Sequence, residues 1–320
     1  RKYSVFCNSG SSANLLMMSV VKERLAGKSN LRVVVPSVAW ATDLAPVIQL
    51  GIIPELCDCN MDDLSVDLEH LEDIFMRRMP DAFILVSVLG LVPNMDKIVE
   101  LCDKYNVMLL EDTCESMGCE YKGKKLGTFG DMSSFSTFFG HHISTIEDGW
   151  DRDLSEETQI KLQNEWEVDS FDSMYTFYYS GFNLRSTDLQ AFIGLSQIDK
   201  IDDWGKKRES NFKLYQKLIK NDYWKVNPQD DSFISNFAYP VIHPNRDKIV
   251  KVLQENNVEV RPMICGSMGT QPFYVKKYGR LELPNVSVVD KYGFYVPNNP
   301  KLTTDEISFI CNLINEEIDK

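Results

Sequence analysis

Lysine is missing from one long stretch of this sequence, between Lys125 and Lys161, and histidine is scarce throughout, with four in 320 residues. Two of those four, His141 and His142, stand side by side inside the lysine-free stretch, in "SFSTFFGHHISTIEDG" (134–149). Other absences narrow the class of protein. No apolar run approaches the roughly 20 residues that a membrane-spanning helix needs, so no membrane partner is expected. Basic charge is in deficit, with 34 Lys and Arg against 47 Asp and Glu and a net charge of −13. That balance opposes loose attraction to nucleic acid or anionic lipid, while a local basic patch can still hold a phosphorylated small molecule. The eight cysteines lack the regular spacing of a disulfide scaffold and sit in apolar stretches, as expected of reduced thiols in a cytoplasmic protein. Only Cys57 and Cys59 form a tight pair, and no second pair or His cluster follows at ligand spacing, so no metal is expected. There is no internal repeat, low-complexity tract or signal-peptide pattern. The chain opens on Arg1-Lys2-Tyr3 without an initiator Met and runs at once into a strand-like "YSVFCNSG", so the natural N-terminus is expected upstream.

What is present is an ordinary globular composition, 43% hydrophobic and 25% charged, arranged in two styles. Continuous apolar runs at 31–37, 81–90, 106–112 and 132–137 read as strands buried on both faces, and helical periodicity at 11–26, 67–78 and 94–105 separates them. Strands alternating with helices predict an α/β domain built on a mostly parallel sheet. From about residue 190 the pattern changes. A long helical stretch is followed by a strand at 237–242, a helix near 246–256, a strand at 258–263 and a last helix at 304–318, which reads as a smaller α+β domain. The expected division is a large domain over 1–190 and a small one over 191–320. The acidic segment 150–170 reads as a solvated face.

Three short segments can carry chemistry. In "NSGSSANLL" a strand runs into a turn of small residues, Ser9 to Ser12, and then a helix, whose free N–H groups suit a phosphate; a Ser-capped helix after a Gly turn explains the same residues without a ligand. In "LLEDTCESMG" the strand ends on Glu111 and Asp112, where open α/β sheets place ligands, and where an Asp also simply caps a turn. The third is the histidine pair. In order these segments, with "PSVAW" (36–40), "GFNLRSTDLQAFIGLSQI" (181–198), "VEVRPM" and "YGFYVPNNPKLTTDEI", resemble the nucleotide-sugar aminotransferase and dehydratase family of fold-type I pyridoxal-phosphate enzymes, from Tyr3 nearly to the C-terminus.

The resemblance implies an aspartate-aminotransferase-like three-layer domain, a smaller C-terminal domain, and pyridoxal or pyridoxamine 5'-phosphate as cofactor. It implies that Gly10, Ser11 and Ser136 bind the cofactor phosphate, that Trp40 stacks on the pyridine ring and that Asp112 pairs with the ring nitrogen. Asn183 would reach the phosphate of a neighbouring subunit, in a homodimer with shared active sites. Glu115 stands where aminotransferases usually carry Gln or His, and would contact the ring hydroxyl, orient His141 or lie on the surface. The family places its Schiff-base lysine five residues after Ser136, where this chain has His141, ahead of Asp148-Gly149. An imidazole cannot make that bond but can move protons near neutral pH.

A branch of the family with histidine at this position removes the C3 hydroxyl of a GDP-linked 4-keto-6-deoxyhexose and uses L-glutamate to restore the cofactor amine, releasing 2-oxoglutarate. That is the expected activity, with His141 as base and His142 as a hydrogen-bonded or solvent-facing neighbour; a one-residue shift of register would exchange the pair. An ordinary sugar aminotransferase and an inactive ligand-binding homologue are the alternatives. Related CDP-sugar dehydratases need an iron–sulfur cluster, and only Cys265 and Cys311 lie in the C-terminal half, too few to hold one. Arg185, Arg261, Lys124 and Lys125 are candidates for contacts with anionic groups. After Gly149 the family has roughly twenty residues that this sequence lacks; either a loop is deleted there or the sequence joins residues across a gap, and the second is expected because both flanks match well.

Overall fold

Valine and isoleucine are concentrated in two of the central strands, at 32–36 and 82–86, because β-branched side chains favour extended backbone and pack well on a pleated surface. In the computed structural model, which describes residues 3–137, 142, 156–165, 182, 184 and 186–318, these strands belong to a five-stranded parallel sheet. Its strands are β1 (Arg32–Pro36), β2 (Ile53–Cys57), β3 (Ala82–Val86), β4 (Met108–Asp112) and β7 (Met132–Ser134), in the spatial order β2-β1-β3-β4-β7. Every residue of β3 is buried, and β1 and β4 are buried after their first residue, as a parallel sheet covered on both faces requires.

The crossovers are α1 (Gly10–Arg24), α2 (Ala41–Gln49), α3 (Leu68–Arg78) and α4 (Met95–Tyr105). Helix α1 packs on α2, and α3 packs on α4. Side-chain caps start three of them: Ser9 accepts from Ser12 N, Asp67 from His70 N and Asn94 from Lys97 N. Helix α3 stops at Met79 and α4 at Asn106, each in the left-handed region. Strand β2 and helix α2 carry Pro54 and Pro46, which hide them from a propensity reading. Pro54 is tolerated because β2 is an edge strand and needs one row of hydrogen bonds.

A short hairpin, β5 (Glu120–Tyr121) and β6 (Lys124–Lys125), follows β4. After α5 (Glu156–Glu165) and α6 (Asp188–Ile198) comes the long α7 (Ile201–Leu218), and then β8 (Ser232–Phe233), which returns to pair with β5. A second sheet is antiparallel, in the order β10-β11-β9, from β9 (Ala238–Ile242), β10 (Arg261–Pro262) and β11 (Gly293–Pro297). Helix α8 (Arg246–Glu255) packs on β11, α9 (Pro272–Tyr278) and α10 (Pro284–Tyr292) lead into it, and α11 (Thr304–Ile318) packs on α7 and α8. The strand expected at 258–263 shrinks to the exposed pair Arg261–Pro262.

Two ties fix the second sheet against the first. Asp58, just past β2, accepts the N–H groups of Asn285 and Val286 at 2.9 and 2.8 Å and so caps the first turn of α10. The Trp224 indole donates to the Met61 carbonyl at 2.6 Å.

Candidate cofactor site

The site lies at the carboxyl ends of the parallel strands, beside the start of α1. Ser9 caps that helix by accepting from Ser12 N at 3.1 Å, and the Ser12 hydroxyl donates to Asn8 Oδ1 at 2.6 Å. Ala13 N already donates to the Ser9 carbonyl, which leaves the N–H groups of Gly10 and Ser11 ahead of any intrahelical acceptor. No acidic residue sits in this first turn. A Cβ on Gly10 would stand 3.1 Å from Ser136 Cβ and 3.2 Å from Cys114 Sγ, so the helix start, the end of β7 and the loop after β4 converge where a side chain at residue 10 would intrude. Backbone donors, a helix dipole and a hydroxyl at one point form a seat for a phosphate.

Register decides what the two acids of β4 do. Asp112 lies opposite Ser134 of β7, and alternation sends Glu111 to the other face. There Glu111 accepts N–H bonds from Gly127, Phe129 and Gly130, each at 2.7 Å, and fastens the turn before β7. Asp112 keeps one oxygen for the turn, accepting from Cys114 N at 2.9 Å, and its other oxygen accepts from Asn14 Nδ2 at 2.6 Å. The capping role and the ligand role thus fall on different oxygens. The same Asn14 amide donates to Asp43 Oδ1 at 2.9 Å, and Asp43 Oδ2 accepts from Trp40 N at 3.0 Å. Asn14, Asp43 and Asp112 are all buried. Burial, and then the neighbouring Asp112 charge, push the Asp43 carboxyl well above the usual carboxylate range. Trp40 immediately precedes α2 and stays 54% exposed, an aromatic surface free to cover a planar ligand.

Glu115 completes the wall. Its carboxyl accepts from Leu89 N at 2.5 Å, and burial pushes it up to about 8, helped by the charge of Asp112 and opposed by the Leu89 N–H. The turn that supplies this donor has positive φ at Leu89 and Gly90, and a Cβ on Gly90 would fall 2.8 Å from the Glu115 carbonyl oxygen. The second sheet reaches the same place. Cys265 accepts from the N–H of Ala41, the first residue of α2, and Met268 N donates to the Ser37 carbonyl at 2.9 Å.

Of the residues expected from sequence, Gly10 lies beside Ser136 and beside Cys114, whose N–H binds Asp112; Trp40 is tied to Asp112 through Asp43 and Asn14, and Glu115 lies close enough to Asp112 to feel its charge. His141, Asn183, Arg185, Asp148 and Gly149 lie outside the described residues. Beside Asn183, the Leu184 carbonyl accepts from Asn8 N of the same chain at 2.8 Å, two residues before Gly10. His142 is buried and hydrogen-bonded through Nε2 to the Ser235 carbonyl, which makes it a packed neighbour and not a solvent-facing one. His70 and His243 are structural, but they do have partners: their Nδ1 atoms accept from Asp58 N at 3.0 Å and Asn245 N at 3.1 Å.

The basic candidates have protein partners. Arg261 pairs with Glu259, Lys125 with Glu120 and Asp202, and Lys124 lies over the Phe129 ring. Asn14 and Asp43 were not foreseen. Their one signal is a polar residue on an apolar helix face, in "SANLLMM" and "ATDLAPVIQ". Among the described residues no group of three or more His, Cys, Asp or Glu is placed to hold a metal, and no helix is long and apolar enough to cross a membrane.

This donor set, an anion seat facing a buried acid with an aromatic between them, fits a phosphorylated pyridine. Known proteins point the same way. The chain is 28% identical over 345 aligned positions to a GDP-4-keto-6-deoxy-D-mannose 3-dehydratase of Yersinia pseudotuberculosis, covering 98% of this chain and 87% of that protein. The alignment is longer than the 320 residues present, so the relative carries residues that this sequence lacks. A crystal structure of GDP-4-keto-6-deoxymannose-3-dehydratase with a trapped PLP-glutamate geminal diamine superposes with a TM-score of 0.85 at 28% identity, covering 98% of this chain and 88% of that one. A histidine-to-asparagine variant of that enzyme with bound GDP-perosamine also superposes at a TM-score of 0.85, at 27% identity and with the same coverage. A family description matches residues 1–315, nearly the whole length over which this fold and site are built, and the chain belongs to the DegT/DnrJ/EryC1/StrS aminotransferase family.

Proposed function

We propose that the chain is a pyridoxamine-phosphate-dependent dehydratase. It removes the C3 hydroxyl of a GDP-linked 4-keto-6-deoxy-D-mannose to give a 3,6-dideoxy-4-keto sugar, and glutamate restores the cofactor amine. The observation that carries this reading is the absence of lysine between residues 125 and 161 in a chain that brings the start of α1 beside Ser136 and buries Asp112 at the tip of β4. A covalent transaminase site without an amine is inert, whereas an intact cofactor pocket with an imidazole can still move protons. The relatives that bind a PLP-glutamate adduct and a GDP-sugar support the choice of partners.

When bound, the cofactor supplies an electron sink that lets a hydroxyl leave the carbon beside a ketone. The protein's part is to hold and to move protons. The Gly10 and Ser11 N–H groups and the Ser136 hydroxyl hold the phosphate. Asp112 accepts a hydrogen bond from the ring N–H and keeps that nitrogen protonated, Trp40 covers the ring face, and Glu115 donates toward the ring hydroxyl. His141, at the position of the missing lysine, takes a proton on an imidazole nitrogen and returns it to the leaving hydroxyl. Asn183 completes the phosphate seat of a neighbouring subunit. A dimer is supported by α6, an apolar helix with no buried residue, whose Leu189, Phe192, Leu195 and Ile198 are all exposed. Eight free thiols fit a cytoplasmic setting.

The test mixes the protein with pyridoxamine phosphate, glutamate and GDP-4-keto-6-deoxy-D-mannose. Ammonia and 2-oxoglutarate should appear together with a deoxygenated sugar. An amino sugar formed without ammonia would identify an aminotransferase instead, and binding without turnover an inactive homologue.

A further inference from the structure

The pair formed by Asp43 and Asp112 is not accounted for by the roles above. Two buried carboxyl groups share one asparagine amide, Asn14 Nδ2, which donates to both, at 2.9 and 2.6 Å. Two ionised carboxylates cannot share such a site, so one of them carries a proton. Each receives one backbone N–H, so their places in the fold decide which. Asp112 receives the Cys114 N–H on the oxygen that Asn14 does not use, at 2.9 Å, and lies at the tip of the strand where the ring nitrogen is expected. Asp43 receives the Trp40 N–H on Oδ2 at 3.0 Å and lies one layer behind, in the first turn of α2.

We infer that Asp43 is a positioning residue which, as a neutral acid, donates its proton to Asp112, fixing that carboxylate toward the ring nitrogen and keeping the pair at a single negative charge. This rests on the assignment of Asp112 to the cofactor ring. A carboxylate held from behind by a donor presents its remaining lone pairs in one direction, toward the ring N–H. Burial raises the proton affinity of Asp43 most, the charges of Asp112 and Glu115 add to it, and the Trp40 N–H opposes it; the thiols of Cys114 and Cys265 lie close enough to feel the Asp43 charge. Asn14 orients both members and Trp40 N–H fixes the outer one, so the arrangement also couples the backbone that carries the exposed indole to the acid beneath the ring.

The experiment compares Asp43→Asn and Asp43→Ala with the wild-type chain in two measurements. Equilibrium titration with pyridoxamine phosphate should show Asp43→Ala weakened by about tenfold to a hundredfold, the worth of a hydrogen bond to a charged group. Asp43→Asn, which mimics the neutral acid and keeps a donor toward Asp112, should recover most of that loss. Melting of the apoproteins tests the pair without the cofactor. An acid with a raised folded pKa gives stability that is whole below its unfolded value and is lost as pH rises. The wild type should therefore fall behind Asp43→Asn as pH is raised from 5 to 9, and match it in acid. Parallel melting curves, or an Asp43→Asn chain that melts normally but binds as poorly as Asp43→Ala, would overturn the inference. If the wild type itself fails to bind pyridoxamine phosphate, the proposed function falls and the melting comparison alone decides whether the proton is shared.

Discussion

Glu115 illustrates how one side chain sets a pH limit. With its proton held up to about 8, it is a neutral acid at pH 7 and can give a hydrogen bond that an ordinary glutamate cannot. Its contribution to stability is whole below the unfolded value of about 4.3 and is lost as pH rises through about 8. Glu115→Gln should therefore flatten the alkaline side of the melting profile, read as Tm between pH 6 and 9.5; an unchanged slope would show that Glu115 titrates normally. The histidine pair gives a second expectation. His141→Asn should keep cofactor binding, since phosphate, ring nitrogen and ring face are held by other residues, and should lose about 10²–10⁴-fold in dehydration rate. His142→Asn should act on stability through the lost bond to Ser235, by about 1 kcal/mol, and leave the rate closer to wild type. Single-turnover rates of both variants, set beside their melting temperatures, check the assignment. If the rate loss falls on His142 instead, the register is off by one residue.

The elements that carry the site differ in how openly the sequence shows them. Strands β1, β3 and β4 lie within apolar runs, and Asp112 at the tip of β4 could be read from its place alone. The start of α1 could be read too, because Ser9 to Ser12 announce a cap. Strand β2 and helix α2 could not, since each contains a proline and only the sheet order shows that β2 is an edge. The frame Asn14-Asp43-Asp112 was out of reach for a different reason: its members come from α1, α2 and β4, and only the packing of α1 on α2 and over the sheet brings them together. Two glycines test the elements themselves. Gly10→Ala would put a methyl 3.1 Å from Ser136 Cβ, so phosphate affinity should fall while the fold survives, measured by titration with inorganic phosphate and by melting. Gly90 has φ +85, and a Cβ there would lie 2.7 Å from Asn236 Cα and 2.8 Å from the Glu115 carbonyl oxygen. Gly90→Ala should cost about 1–3 kcal/mol or more, seen as a large drop in Tm, and should displace the Leu89 N–H that holds Glu115.

For the whole molecule, α6 bears on assembly. An apolar helix face left in water is costly, and Phe192, 71% exposed, stands at its centre. Under the proposed sharing of Asn183 between neighbours, Phe192→Asp with Leu195→Asp should shift sedimentation toward monomer and reduce activity together. A monomer with full activity would refute the shared site. Strand β8 has another consequence. It leaves the later part of the chain to pair with β5 beside the cofactor wall, while Asp58 from the earlier part caps α10. Neither part is closed without the other: a polypeptide ending at residue 190 would expose the β5 edge that β8 covers and leave Asp58 without the two N–H donors that α10 supplies. Splitting the gene there and coexpressing the pieces should give soluble protein only when both are made. Exchanging one half of this molecule for another therefore requires the incoming half to bring a matching β8 and α10 with it.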